Sequence, residues 1–135
     1  MGAYTDVMFN YLQTAAATSL TQMFNGVGTT AGNYNALYDG TLVAIDLFIV
    51  PQAATSLCQS GRVEITSSSF TPNKIVLWFS GFGLATAPQL YGGNQARLTY
   101  AMNQPVKTAV PIVAFHLSYS SPVTPNFLIQ GYFTT

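Results

Sequence analysis

Apolar and polar residues alternate with period two along most of this chain. In residues 74–82, KIVLWFSGF, one side carries Ile75, Leu77 and Phe79, and the other carries Lys74, Val76, Trp78 and Ser80. Successive side chains of a strand face opposite sides of its sheet. One face is therefore wholly apolar and the other largely so, which predicts an inner strand covered on both sides. Residues 41–50, TLVAIDLFIV, set Val43, Ile45, Leu47 and Ile49 against Leu42, Ala44, Phe48 and Val50, interrupted by Asp46 and stopped by Pro51. Residues 61–66 turn Val63 and Ile65 inward and Arg62 and Glu64 outward. Residues 96–102 set Leu98 and Tyr100 against Arg97 and Thr99. Residues 110–119 align Val113, Phe115, Leu117 and Tyr119, and residues 126–134 align Phe127, Ile129 and Phe133. Turn signals separate these runs: Pro72 within 67–73, Gly92 with Gly93 and Asn94, Pro105 within 103–109, and residues 120–125.

The first 25 residues follow another spacing. Tyr4, Val7, Met8, Tyr11, Leu12, Ala15, Leu20, Met23 and Phe24 fall near i, i+3, i+4, i+7, the stripe of an amphipathic helix. Thr5 or Asp6 is placed to cap it and Gly26 to end it. Its opposite face is polar without charge. The helix either lies over its own sheet or packs on a neighbouring subunit, and in the second case Tyr4, Val7, Met8, Tyr11, Leu12, Met23 and Phe24 form the assembly interface. Residues 25–40, rich in Gly, Asn and Thr, form a loop. Its Gly26, Gly28 and Gly32 miss the G-x-G-x-x-G spacing and follow a helix, so no phosphate-binding turn is expected. The fold expected is all-β: an antiparallel β-sandwich of six to seven strands, jelly-roll-like, over 41–134, with one N-terminal amphipathic α-helix over 1–25, in a single domain spanning 1–135.

Charge changes the picture most. Charged residues make up 6% of the 135 residues, against about 25% in average soluble proteins. Four bases (Arg62, Lys74, Arg97, Lys107) balance four acids (Asp6, Asp39, Asp46, Glu64). A chain near zero charge tends to associate. Three explanations compete: a surface buried in a symmetric assembly, an exterior and perhaps acidic setting, or an ordinary domain of odd composition. Four carboxylates supply few titrating groups, so stability is expected to vary little between roughly pH 3 and 8.

Candidate chemistry is sparse. Cys58, the single cysteine, is a small buried hydrophobe or, less simply, half of an intermolecular bridge. No Cys/His spacing suggests zinc, no carboxylate pair suggests acid–base catalysis, and His116 has no recognisable nucleophile partner. No enzyme activity, cofactor or metal is therefore expected. Four scattered bases exclude a nucleic-acid stripe, and no apolar run is long enough for a membrane helix. The N-terminal residues lack a signal-peptide pattern, so if the protein works outside a cell, release by lysis or another route is expected. Asp46 is the most informative acid, a partner for Arg62 or Arg97 across the sheet or a turn or edge residue. Tyr34, Tyr38, Tyr91 and Tyr100 lie in or near loops and strand ends and suit sugar stacking or protein contacts.

Residues 59–65, QSGRVEI, followed by Ala87, Pro88, Gln89 and Leu90, resemble the opening of H-type lectin domains, which recur in phage tail fibres. That resemblance implies a six-stranded sandwich and sugar-binding trimers. It spans residues 59–90. The C-terminal part lacks the family's Gly-Phe strand and its tryptophan-bearing last strand, so no binding residue carries over. In architecture the whole chain is similar to small jelly-roll coat and vertex proteins of bacterial and archaeal viruses. The expected function is a self-assembling structural subunit of a virion or extracellular filament, whose partners are its own copies and other structural proteins. The alternative is a carbohydrate-binding receptor-recognition module with a glycan partner.

Overall fold

The computed structural model describes residues 2–12, 17–23, 33–51, 57–83, 96–120 and 125–135. Among the described residues every regular element is a strand: β1 (Ala3–Leu12), β2 (Ala17–Gln22), β3 (Asn33–Tyr34), β4 (Gly40–Pro51), β5 (Leu57–Thr66), β6 (Lys74–Gly83), β7 (Ala96–Val106), β8 (Ile112–Ser120) and β9 (Pro125–Thr134). They form two antiparallel sheets. The first has the order β1-β9-β4-β7, and the second β2-β8-β5-β6 with β3 also paired to β8.

The inward residues of both sheets share one core. Ile45, Leu47 and Ile49 of β4 and Phe127, Ile129 and Phe133 of β9 meet Val63 and Ile65 of β5, Leu77 and Phe79 of β6 and Ile112 and Ala114 of β8. Complete burial of such a side chain stabilises the fold by about 1.5–3 kcal/mol. In β4, β5, β6 and β9 these positions are the alternating apolar sets of the sequence, but in β8 the core face is Ile112, Ala114 and His116, not the face aligned from sequence through Val113 and Phe115. Several readings are corrected.

The helix expected over 1–25 is replaced by β1 and β2, and the loop expected over 25–40 contains the short β3, which together bring the described strands to nine. The cause is a bulge. Val7 pairs with Gln130 and Phe9 with Ile129, so Met8 is an extra residue between them. A bulge shifts the alternation by one place. Tyr4 and Met8 share the inward face by ordinary alternation, and the bulge brings Tyr11, only three residues further on, to the same face, so the set imitates the interval of a helix stripe. Met8 and Phe9 are fully buried, whereas Val7, counted in that stripe, is 44% exposed.

The second correction concerns β6. It is an edge strand of the second sheet, not an inner one. Its outer face is uncovered at Trp78, which is 64% exposed. Aromatic and β-branched residues on that face gave it the composition of a covered strand. The segment 103–106, expected as loop, continues β7 instead. Because β7 is an edge strand, it tolerates Pro105.

Candidate functional site

Each sheet presents an outer face organised around one hidden carboxylate. On the first, Asp46 of β4 is flanked by Thr99 of β7 and Gln130 of β9 in the register. It is 0% exposed although it points away from the core. Arg97 roofs it, donating from Nε and Nη2 to Oδ2 at 3.0 and 2.8 Å. Thr99 Oγ1 donates to Oδ1 at 2.6 Å, and the Tyr132 hydroxyl donates to Oδ2. The Arg97 guanidinium lies 5.6 Å from the centre of the Phe48 ring. Burial pushes the Asp46 carboxyl up, but the hydrogen bonds from Thr99, Tyr132 and Arg97 outweigh it and hold the group below its usual range. Of the two partners weighed from sequence, the register selects Arg97.

The second outer face repeats the scheme. Glu64, 6% exposed, accepts from Arg62 Nε at 2.6 Å and lies 3.3 Å from Lys74 Nζ. Arg62 and Trp78 are cross-strand neighbours, and the guanidinium sits 5.4 Å from the indole centre. The Arg62 hydrogen bond, against the opposing effect of burial and with help from Lys74, lowers the Glu64 carboxyl. The i, i+2 spacing of Arg62 and Glu64 was legible. Their meeting with Trp78 depends on strand register and was not.

A third feature lies where β1 and β9 run on past their last paired residues. Thr135 N donates to Gly2 O at 2.8 Å. A groove of about 430 Å³ opens there, lined by Gly2, Ala3, Tyr4, Tyr38 and Thr135. Tyr4 stacks on Phe133 with centroids 4.9 Å apart and meets Tyr38 edge-on at 5.6 Å. Tyr34 stacks on Phe133 from 6.0 Å and donates to Asp6 Oδ2 at 2.7 Å. Burial, and then that bond, raise the Tyr34 hydroxyl's pKa. Tyr38 is 60% exposed and its neighbour Leu37 57%.

Of the residues singled out from sequence, this groove gathers Tyr4 and Tyr38, with Tyr34 behind them. Tyr100 is elsewhere: its hydroxyl donates to the Trp78 carbonyl at 2.5 Å and clasps edge strand β7 to edge strand β6. Met8 and Met23 are buried in the core, so they are not free to meet a neighbouring subunit. Tyr11 is half-buried against His116. Phe24 and Tyr91 lie outside the described residues, as do the lectin-like residues 87–90 and the side chains of Leu12 and Cys58.

His116 takes a structural place. It points into the core, fully buried. Burial lowers its pKa from 6.5 to about 4. The expectation of flat stability across pH 3–8 counted carboxylates only; this imidazole adds a titrating group whose folded value lies inside that window. Among the described residues no group of three or more His, Cys, Asp or Glu is placed to hold a metal, and no helix is long and apolar enough to cross a membrane. No family model and no curated protein matches the chain.

Proposed function

We propose that this protein is a structural subunit that assembles with copies of itself, as a capsid, vertex or fibre component of a virion or as part of an extracellular filament. One observation carries the reading. Arg62, Lys74 and Arg97, three of the four basic side chains, are tied to two hidden carboxylates, while Trp78, Tyr38 and Leu37 stand exposed. Such an exterior has little charge to repel a neighbour and aromatic area to bury against one.

The strand order is compatible with that reading. The chain changes sheets at every connection except β2–β3 and β5–β6, and the facing sets β1-β9-β4-β7 and β2-β8-β5-β6 suit a jelly roll, an architecture used by capsid and lectin domains alike. Topology does not choose between those two uses. Light scattering on the purified chain does. Large closed particles or open fibres support assembly, whereas a monomer that persists at high concentration in neutral buffer overturns it.

The groove beside Tyr4 and Tyr38 favours a second reading, a glycan-binding module, because exposed tyrosine rings suit the apolar faces of sugars. A discrete trimer or hexamer with glycan-array signal, abolished by Tyr38→Ala, selects that reading.

A further inference from the structure

His116 is a fully buried imidazole, and among the described residues neither ring nitrogen has a hydrogen-bond partner. Buried polar groups are nearly always paired, so an orphan of this kind calls for an explanation. Its position supplies one. Within its own sheet His116 stands beside Thr21 of edge strand β2 and Val63 of β5. From the facing sheet, Tyr11 of edge strand β1 lies 4.8 Å away and Phe127 of β9 5.2 Å away, centroid to centroid. The ring thus lies against edge strand β1 and stands in register with edge strand β2, on the side of the sandwich opposite the Tyr100–Trp78 clasp. Of these four neighbours Tyr11 alone is titratable. No charged group contributes to the histidine's shift, which comes from burial. β2 is also loosely registered, with its pairing to β8 shifting between Ala17 and Thr21.

We propose that His116 is an acid-sensitive latch for the β1–β2 edge. The neutral ring seals that edge. Taking a proton from solvent turns it into an imidazolium with two N–H donors and no acceptor in a dry site, which is relieved by β1 and β2 parting to admit water. The sign follows from linkage. The folded chain binds the proton only near pH 4 and the opened chain near 6.5. The closed state is therefore fully favoured above 6.5 and loses ground as the pH falls toward 4, by on the order of 10²-fold in the open/closed ratio. This goes beyond the assembly reading and does not rest on it, since the latch acts within one chain.

The test is amide hydrogen exchange on the full chain at pH 7 and pH 4, corrected for intrinsic rates, beside NMR titration of the histidine ring. Protection of β1 and β2 amides should fall on the order of 10²-fold while β4 and β5 keep theirs, and His116→Phe should abolish the difference. The ring should titrate near pH 4. Titration near the ordinary 6.5, equal loss across all strands, or the same loss in His116→Phe overturns the latch. Should His116→Phe not fold, the ring titration and the strand-by-strand comparison in the unaltered chain decide.

Discussion

Arg97 spends its charge on Asp46. The carboxylate is fully buried while the arginine above it is largely exposed, so the two are not equivalent to mutate. Removing Asp46 returns Arg97 to water, whereas removing Arg97 strands a buried carboxylate with only the Thr99 and Tyr132 hydroxyls. Arg97→Met should cost about 1–3 kcal/mol in urea unfolding at pH 7, and Asp46→Asn less. Because the folded Asp46 carboxyl lies below its usual range, its contribution is whole above that range and is lost as pH falls through the lower folded value. Arg97→Met brings that folded value back toward the ordinary range and should therefore flatten the acid limb of the stability curve, the variant's deficit being largest at neutral pH. An unchanged limb would remove Arg97 from this role. That Asp46 stood out in an apolar strand, with a basic partner across the sheet as one of its readings, was legible, because a buried acid must be compensated. Which arginine served, and that His116 faced inward, depended on which side of each strand met the other sheet.

At the scale of elements, the bulge at Met8 decides how β1 is read. Gly131 of β9 faces it. A Cβ there would lie 2.7 Å from the Phe133 ring and 2.8 Å from the Met8 sulfur. At Gly40, which opens β4, a Cβ would lie 2.0 Å from the backbone oxygen of Thr134. Side-chain ends yield more readily than a paired backbone, so Gly40→Ala should destabilise more than Gly131→Ala, for which about 1–3 kcal/mol is expected. Thermal melting of the two variants tests the order, and the reverse order would mean that the β4–β9 pairing yields more easily than the core. Where alternation ran unbroken, as in 61–66 and 96–102, strands and their inward sides were read directly. The bulge imitated a helix because it changes the interval between core residues without ending the strand.

At the scale of the whole molecule, ion pairing within the chain makes a claim about association. Contacts between surfaces whose charges are already matched internally owe little to long-range attraction. If the chain assembles as proposed, particle size should therefore hold between ionic strengths of roughly 0.05 and 1 M, followed by light scattering. Dissolution of the particles at high salt would show that unpaired charge, not apolar contact, joins the subunits. All-β character, most strand positions and the scarcity of charge were set by composition and period, which act locally and survive without knowledge of partners. The strand order, the edge position of β6, the burial of Asp46, Glu64 and His116 and the gathering of Tyr4 with Tyr38 came from pairing between segments far apart in the chain. A period of two says that a strand has two faces, but only its neighbours in space determine which face stays dry.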